Sequence, residues 1–278
     1  MRKVIFLDID GTLTHNHQDI SSRVLQALKE ARENGHYIFL CTGRNRVGVN
    51  DLLALNIFDG TVCSAGGYIE VNGQKIFEEG MSKEEVSIAQ KVFNEYGILY
   101  NLEADFKVFQ SIEMSRKLAF AFGDNNSEIE RLIEQQSEQF NVFSLEKYQS
   151  DKDVIQTICY IADNDEIILK AKEQLLPYFH FLIYAKTKNQ VVNGELMKKG
   201  VNKGEGIKKV MQFLQLPLES SIGFGDSMND LEMLETCYYS VVMANGDEKI
   251  KKYADTICES VEDDGIYHEL KRLGLIKR

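Results

Sequence analysis

Residues 4–13 read VIFLDIDGTL: four apolar residues, then two aspartates separated by one isoleucine, then a glycine. The apolar run predicts a buried strand. Side chains two positions apart lie on the same face of a strand, so Asp8 and Asp10 would crowd one spot at its end. Because like charges at that distance raise each other's pKa, such a pair predicts a site that uses carboxylates on a metal ion, a proton or a phosphorus atom.

Strand and helix patterns alternate through the first 80 residues. Apolar residues at helical spacing and a stop at Asn34-Gly35 predict a helix from Ser22, and Asn72-Gly73 predicts the turn of a hairpin. This alternation is typical of parallel strands joined by right-handed crossovers. The other elements predicted here are strands at 37–41, 61–64, 68–71 and 74–77, and a helix through 52–55.

Residues 81–187 follow a different pattern. Ser82 and Glu85 match a capping box that opens a helix, and Gly97 ends it. The extra strands that follow predict a separate α+β layer of roughly 100 residues, which is a normal domain size. The strands predicted in this layer are 98–103, 106–112, 154–161 and 179–184, the helices are 127–138 and 166–176, and a connector spans 185–193.

From Val201 the alternation of the first segment returns. A helix is predicted from Lys203, strands at 221–224 and 240–243, and helices from 228 and over 265–273. The pattern as a whole predicts an α/β fold: a Rossmann-like, doubly wound parallel-sheet core with an inserted α+β cap. We place the core at 1–80 and 188–278 and the cap at 81–187.

Composition narrows the classes of partner. The chain has 278 residues with 32 basic and 43 acidic side chains, giving a net charge of −11, which disfavours nucleic acid and anionic membranes as partners. The five cysteines are odd in number and form no C-x-x-C pair, which is typical of thiols in a reducing cytosol. With no leader or membrane span in the sequence, we expect a cytoplasmic protein, and nothing indicates an obligate protein partner.

Four polar stretches follow predicted core strands or open a core helix, at the sheet edge where open α/β sheets bind ligands. Separated carboxylates could bind Mg²⁺, which prefers oxygen ligands. A threonine hydroxyl, a lysine ammonium and free backbone N–H groups could bind phosphate oxygens, and a carboxylate could then attack phosphorus. The stretches are Asp8–Thr12, Thr42–Arg44, Asn202–Glu205 and Gly225–Asp230.

In this order the four stretches resemble the motifs of the haloacid-dehalogenase-like phosphatase superfamily. The motif sequences DIDGTL, TGR, GVNKG and GDSMND are similar to those of its Cof-type sugar-phosphatase branch. The resemblance implies that Asp8 is the nucleophile, and that Asp10 is the general acid and base and gives its backbone carbonyl to Mg²⁺. It also implies phosphate binding by Thr42, Gly43, Lys203 and Asn229, and metal binding by Asp8, Asp10, Asp226 and Asp230.

Two stretches depart from the branch. Residues 64–67 read SAGG where relatives commonly read S-N-G-A, and residues 242–246 read VMANG where V-A-M-G-N is usual. Neither departure touches the four motifs, so both bear on the identity of the substrate more than on the reaction. Simpler interpretations also stay open: Asp230 could complete a capping box with Ser227, and Arg44 could be either a solvated loop residue or a substrate clamp.

The resemblance implies a Mg²⁺-dependent phosphomonoester hydrolase that acts through an aspartyl-phosphate on a small phosphorylated metabolite, with a sugar phosphate as the favoured class. The cap would set specificity, as lids commonly do. Two alternatives remain: a phosphomutase of the same superfamily, and a noncatalytic sensor of a phosphorylated ligand.

Overall fold

The computed structural model describes residues 2–15, 19–122, 141–184, 186–187 and 189–277. The chain divides into two compact units: one combines Met1–Glu78 with Val201–Arg278, and the other is Glu79–Gly200. We call them the core unit and the middle unit. The helix predicted at 127–138 lies outside the described residues. None of the described helices is both long and apolar enough to cross a bilayer.

The first segment of the core unit alternates strands and helices as predicted. Its first helix begins after Ser21, whose hydroxyl accepts the Val24 N–H, and ends at Asn34. The hairpin turns at Asn72-Gly73, where both residues have positive φ. The helix predicted through 52–55 is found two residues earlier, as a single turn. The elements are β1 (Val4–Leu7), α1 (Ser22–Glu33), β2 (Tyr37–Cys41), α2 (Asn50–Leu53), β3 (Gly60–Cys63), β4 (Tyr68–Val71) and β5 (Gln74–Glu78).

The middle unit opens with the predicted capping box. The Ser82 hydroxyl accepts the Glu85 N–H, the Glu85 carboxylate accepts the Ser82 N–H, and Gly97 ends the helix in the left-handed region. Its elements are α3 (Lys83–Tyr96), β6 (Leu99–Glu103), β7 (Val108–Gln110), α4 (Ile112–Phe122), β8 (Val142–Ser144), β9 (Thr157–Ala162), α5 (Asp165–Leu175), β10 (Phe179–Ile183) and β11 (Val192–Lys198).

The last segment returns to the core unit. Asn202 caps its first helix, in agreement with the predicted start at Lys203. Its elements are α6 (Lys203–Phe213), β12 (Ser221–Gly225), α7 (Leu231–Thr236), β13 (Tyr239–Met243), α8 (Glu248–Lys251), β14 (Thr256–Cys258) and α9 (Gly265–Arg272).

The core sheet joins both outer segments of the chain. Its order is β14-β13-β12-β1-β2-β3-β4-β5, parallel from β14 to β3 and antiparallel at β4 and β5. Ile5 and Leu7 belong to the apolar cluster that contains α1 and α9, whereas Val4 and Phe6 belong to the cluster that contains α6 and α7. Because successive strand residues point to opposite faces, helices cover both faces, which confirms the doubly wound fold.

The middle sheet is mostly antiparallel. Its order is β10-β11-β9-β6-β7-β8, and only β7 and β8 pair in parallel within the described part of the chain. α3 and α5 share one apolar cluster with Tyr100, Leu102 and Tyr160. α4 contributes Met114 to a smaller cluster around Ile161. Because residues 160 and 161 are neighbours in β9, these clusters lie on opposite faces of the sheet.

The second boundary between the units falls at Val201 and not at the predicted 188. Val192–Lys198 form β11, which pairs with β9 and β10. Asn193-Gly194 resembles a turn signal, but Gly194 lies within the strand. A Cβ at Gly194 would lie 2.7 Å from Tyr160 Cζ, so glycine is needed here for a close approach and not for a turn.

The strand predicted at 106–112 is also shorter than expected. β7 covers only Val108–Gln110, and α4 begins at Ile112. The hydroxyl of Ser111 accepts the backbone N–H of Met114 at 3.1 Å, so Ser111 acts as an N-terminal cap. This single capping residue marks where the strand pattern gives way to a helix.

Candidate active site

Three predicted site residues follow the carboxyl ends of neighbouring parallel strands. β1 lies between β2 and β12 in the core sheet. Asp8, Thr42 and Asp226 are the residues that follow these three strands, so they come together at one edge of the sheet. Asp8 and Thr42 are 4% and 2% exposed, respectively, which makes this edge a buried polar site.

Lys203 joins Asp8 to Asp230. It is the first residue of α6, where Asn202 Oδ1 caps the helix by accepting the Glu205 N–H at 2.8 Å. Lys203 Nζ donates to Asp8 Oδ1 at 2.6 Å and to Asp230 Oδ1 at 2.5 Å. The three side chains are at most 5% exposed. Without this ammonium, two carboxylates would be buried with no charged partner.

Asp230 also caps the turn that carries Asp226. Its Oδ2 accepts the backbone N–H of Asp226 at 3.0 Å and that of Ser227 at 3.2 Å. The capping interpretation of Asp230 is therefore correct, and its other oxygen faces Lys203. Gly225 leaves room for this arrangement, because a Cβ there would lie 2.6 Å from Asp230 Cγ.

Asp8, Asp226 and Asp230 form a carboxylate cluster. Each offers an oxygen, and the three oxygens lie within 4.8 Å of one another. Thr12 Oγ1 donates to Asp226 Oδ1 at 3.2 Å. Gly11 packs on the same carboxylate: its φ is +87°, and a Cβ there would lie 2.7 Å from Asp226 Cγ, so only glycine fits. Three converging carboxylates match the oxygen ligands that hard divalent cations prefer.

Burial and mutual repulsion raise the pKa values of two carboxyl groups in the cluster. Burial raises the pKa of Asp8 to about 8; Asp230 adds to the shift and Lys203 opposes it. Burial and Asp230 also raise the pKa of Asp226 to about 7. Burial lowers the pKa of Lys203, but Asp230 and Asp8 outweigh it, so this pKa lies above its usual value. When all three carboxylates are ionised, their charge exceeds that of the one ammonium, and a divalent cation would balance the excess.

The carboxylate of Asp10 binds Arg44. Arg44 Nε donates to Asp10 Oδ2 at 2.9 Å, and Nη2 donates to Oδ1 at 2.5 Å. Arg44 is therefore an ion-pair partner and not merely a solvated loop residue. Among the described residues, the cluster of ligand oxygens contains Asp8, Asp226 and Asp230 but not the Asp10 carboxylate. The backbone carbonyl contribution of Asp10 remains a prediction.

The other predicted phosphate-binding residues lie at the same sheet edge. Thr42 Oγ1 accepts the Arg44 N–H at 3.1 Å; within the described residues its hydroxyl hydrogen has no acceptor, so it can donate to a phosphate oxygen. Gly43 follows directly. Asn229 Oδ1 accepts the Ser227 hydroxyl at 2.7 Å, which leaves its amide nitrogen as a donor. The phosphate-binding roles of these residues remain predictions.

A strained turn supports the loop that carries Thr42 and Arg44. Ser64, Ala65 and Gly66 have φ of 48°, 48° and 102°, and two of them are non-glycine residues in a conformation that costs energy. The Ser64 N–H donates to Arg44 O at 2.8 Å, and the Ala65 N–H donates to Thr42 O at 3.0 Å. In the sequence, this stretch was recognisable only as a departure from the residues that are common in the family.

Asn245 is a supporting residue that sequence analysis did not identify. Its Nδ2 donates to Gly11 O at 2.8 Å, and its Oδ1 accepts the Val261 N–H at 2.9 Å. It therefore connects the loop after β1 with the loop after β14. Asn245 lies in the stretch 242–246, which departs from the sequence usual in the family. That departure drew attention to the stretch but did not predict the contact.

Known proteins resemble this chain along most of its length. A family model described as haloacid dehalogenase-like hydrolase matches residues 5–270. Two proteins of Bacillus subtilis (strain 168) are similar along almost the whole chain. The 5-amino-6-(5-phospho-D-ribitylamino)uracil phosphatase YitU is 26% identical over 276 residues, 96% of each chain. Phosphatase YwpJ is 25% identical over 292 aligned residues, covering 98% of this chain and 99% of its own.

Solved structures share the fold. The sugar phosphatase BT4131, of haloacid dehalogenase subclass IIB, superposes with a TM-score of 0.77 at 23% identity. The match covers 99% of this chain and 100% of BT4131. The core unit and the middle unit thus both have counterparts in the structure of BT4131.

Proposed function

The chain belongs to the haloacid dehalogenase-like hydrolase family, and from this premise we propose that it is a Mg²⁺-dependent phosphomonoester hydrolase acting on a small phosphorylated metabolite. The observation that carries the proposal is the buried cluster of Asp8, Asp226 and Asp230, with a single ammonium, Lys203, between two of its carboxylates. Such a cluster has the charge and the ligands for a divalent cation, and it contains the predicted nucleophile, Asp8.

Asp8 and Asp10 carry the chemistry in this proposal. A carboxylate oxygen of Asp8 attacks phosphorus, and the ester oxygen leaves as an alcohol, which gives an aspartyl-phosphate. Asp10 supplies the proton to the leaving oxygen and then takes a proton from the water that attacks the aspartyl-phosphate. That second attack restores Asp8 and releases inorganic phosphate.

The side chains around Asp8 would hold the phosphoryl group during both steps. Lys203 is already oriented toward Asp8 by its two ion pairs, and the buried hydroxyl of Thr42 has a hydrogen to donate. Gly43 and Asn229 add N–H donors. Such donors, fixed before the substrate arrives, stabilise the charge that develops on the phosphoryl oxygens.

Mg²⁺ is the cation we assign to the cluster. Asp8, Asp226 and Asp230 would bind it, together with the Asp10 carbonyl, because Mg²⁺ prefers oxygen ligands in octahedral geometry. When bound, the cation supplies the charge neutralisation that lets a phosphate dianion approach the Asp8 carboxylate.

We assign the substrate to the small phosphorylated metabolites and favour a sugar phosphate. BT4131 is named a sugar phosphatase, and the name of YitU describes a substrate with a phosphorylated ribityl chain. The net charge of −11 is unfavourable for binding nucleic acid or an anionic membrane. The cytoplasmic location indicated by the cysteine content belongs to the same proposal.

Phosphate release from an aryl phosphate tests the chemistry. We expect release with Mg²⁺, loss of release with EDTA, and loss of at least about a thousandfold in Asp8→Asn, because that change removes the nucleophile. Asp51→Asn, which changes an exposed aspartate of α2, is the matched control and should keep full activity. A panel of sugar phosphates then ranks the leaving groups.

The same assay separates the alternatives. Transfer of phosphate to a second sugar without free phosphate would identify a phosphomutase. Binding of phosphorylated ligands without turnover of any ester would identify a sensor. Turnover that survives in Asp8→Asn would contradict the proposed nucleophile.

A further inference from the structure

The two faces of the middle sheet differ in polarity. Tyr100, Leu102 and Tyr160 belong to the apolar cluster shared with α3 and α5, so the alternate residues of β6 and β9 point to the other side. On that side, α4 packs near one end of the sheet, against Leu99 and Ile161. Polar side chains follow toward the other end. We call this part the polar face and define it by Asn101, Glu103, Thr157 and Cys159.

The polar face is shielded from solvent in spite of its polar side chains. Asn101 and Thr157 are 5% and 1% exposed, respectively, and Glu103 and Cys159 are half-buried. Polar groups that are withdrawn from water need hydrogen-bond partners, because each unpaired group costs free energy. Asn101 and Cys159 meet this need within the polar face, since both side chains donate to Glu103 Oε1 at 3.3 Å.

The hydroxyl of Thr157 is the exception. Its Oγ1 is buried and, within the described part of the chain, has no hydrogen-bond partner. Thr157 pairs directly with Glu103 across β9 and β6, so the hydroxyl points to the same side of the sheet as the carboxyl group. Valine would fill the same space without an unpaired polar atom. A threonine here therefore indicates a hydrogen-bond partner from outside the chain.

Glu103 offers a second position for such a partner. Both hydrogen bonds that it accepts use Oε1, and among the described residues no group binds Oε2. Burial is the main cause that raises the pKa of this carboxyl group, and a protonated carboxyl group can both donate and accept a hydrogen bond. Glu103 and Thr157 together can thus bind one or more hydroxyl groups.

The charges on this side of the sheet restrict the ligand further. Among the described residues, the strand side chains that point to this side include two carboxyl groups, Glu103 and Glu195, and one imidazole, His180 on the edge strand β10. The strands place no lysine or arginine there in the part of the chain that the structure describes. An anionic group would therefore be desolvated beside carboxyl groups without a strong cation to pair with it.

We propose that the polar face binds a polyhydroxylated part of the substrate that carries no negative charge. The inference rests on the proposed function and narrows its substrate class. Phosphorylated polyols and sugars are accepted, whereas compounds with a carboxylate or a second phosphate in place of a hydroxyl group are rejected. Such rejection needs no clash, because an unpaired charge in a shielded site is unfavourable by itself.

Two matched pairs of substrates test the selection by charge. D-Glucitol 6-phosphate and 6-phosphogluconate differ in that a CH₂OH group of the first is a carboxylate in the second, and glycerol 1-phosphate and 3-phosphoglycerate differ in the same way. The experiment measures kcat/KM with Mg²⁺ for all four compounds. In each pair that the protein hydrolyses, we expect the uncharged member to be favoured by at least about tenfold.

Thr157→Val tests the residue itself. We expect kcat/KM for the preferred polyol phosphate to fall about three- to tenfold more than that for p-nitrophenyl phosphate, which has no aliphatic hydroxyl group, because one hydrogen bond to the ligand is lost. The midpoint of urea unfolding should stay the same or rise, because the variant removes an unpaired buried hydroxyl. Thr157→Ser, which keeps the hydroxyl, should retain the wild-type ratio between the two substrates.

Thr187→Val is the matched control. Thr187 is also a buried threonine of the middle unit, but its hydroxyl accepts the Val191 N–H at 3.2 Å. Its replacement should lower the midpoint of urea unfolding and leave the ratio between the polyol phosphate and p-nitrophenyl phosphate unchanged. The two threonines thus separate a hydroxyl that serves the fold from one that serves a ligand.

Equal kcat/KM values within a pair, a preference for the carboxylate, or an unchanged ratio in Thr157→Val would overturn the inference and leave the proposed function intact. Hydrolysis of p-nitrophenyl phosphate but of neither pair would do the same. A wild-type protein that hydrolyses none of these esters would contradict the proposed function as well. If Thr157→Val fails to fold, Thr157→Ala gives the same comparison.

Discussion

Each unit of the molecule has a carboxyl group shielded from solvent at its sheet, Asp8 buried and Glu103 half-buried, but the two groups have different partners. In the core unit, Asp8 is bound by the ammonium of Lys203. In the middle unit, Glu103 Oε1 accepts the Asn101 amide N–H and the Cys159 thiol, both at 3.3 Å. Burial is the main cause that raises the pKa of both acids.

The different partners of the two carboxyl groups favour different ionisation states. Glu103 can take up a proton and stay neutral among neutral donors, at little cost to the sheet. In the proposed mechanism Asp8 must be ionised to attack phosphorus, and the ammonium of Lys203 favours that ionised form. Four measurements test this contrast, from the largest expected effect to the smallest.

Removing the ammonium of the core unit should have the largest effect on stability. Lys203→Met leaves Asp8 and Asp230 buried without a cation, so the free energy of unfolding should fall by about 3–5 kcal/mol. Lys208→Met, on the same helix but 49% exposed and paired with Glu205, should cost at most about 1 kcal/mol. Urea titration of both variants gives the comparison, and equal losses would contradict the importance of the buried pair.

A methyl group at Gly11 should disturb the core cluster directly. Gly11→Ala combines a φ of +87° with a Cβ 2.7 Å from Asp226 Cγ, so we expect about 2–3 kcal/mol of lost stability and weaker Mg²⁺ binding. Gly35→Ala has the same backbone problem at φ +89° but nothing within 4 Å; its cost should stay near 1 kcal/mol. Mg²⁺ titration by calorimetry should be normal in Gly35→Ala, and weak binding there would point to a nonspecific effect.

The pH dependence of the metal-free protein should reflect the raised pKa values of the cluster. With Asp8 near 8 and Asp226 near 7, the native state holds protons that the unfolded chain releases above about pH 4. Stability without metal should therefore fall as pH rises from 5 to 8, and the apparent melting temperature should fall by about 2–4 °C for each kcal/mol that is lost.

Mg²⁺ should oppose this fall in stability at high pH. It competes with the protons, so it should raise the melting temperature more at pH 8 than at pH 5. Asp226→Asn removes one of the titrating groups and should flatten the metal-free profile. A metal-free profile that rises between pH 5 and 8 would show that the carboxylates of the cluster have ordinary or lowered pKa values.

The smallest effect should come from the middle unit. Glu103→Gln keeps the shape and removes the cost of ionisation, so the variant should match the wild type near pH 4 and exceed its stability above that, by up to about 1 kcal/mol at pH 8. Glu173→Gln, at an exposed position on α5, is the control and should change little. A large loss in Glu103→Gln would mean that the ionised carboxylate is needed in the middle unit as well.

Sequence analysis anticipated the core unit better than the middle unit, and the reason is physical. Capped helices such as α1, buried strands such as β1 and the turn at Asn72-Gly73 are specified by neighbours in the sequence. In the middle unit, β11 depends on Gly194 fitting against Tyr160, and no local pattern reveals such a contact. Tertiary packing overrode the local signals there.

The same division applies to the candidate site. The sequence alone predicts that residues following parallel strands lie close together, because parallel strands end at the same edge of the sheet. The pairing of Arg44 with Asp10 and the contact from Asn245 to Gly11 join different loops. These contacts depend on side-chain rotamers and loop paths, which the spacing of residues does not determine.

The position of β1 in the centre of the core sheet also affects how the protein is made. Val4 pairs with Tyr37 on one side and with Ser221 on the other. At about 5–20 residues per second, the ribosome supplies the second partner roughly ten to forty seconds after β1. During that interval the middle unit, which is continuous in sequence, can complete its own sheet, while one edge of β1 stays open to wrong pairing. Asp8 can contact Lys203 and Asp226 only after synthesis has passed residue 226 of 278, so a shorter nascent chain cannot form the candidate site.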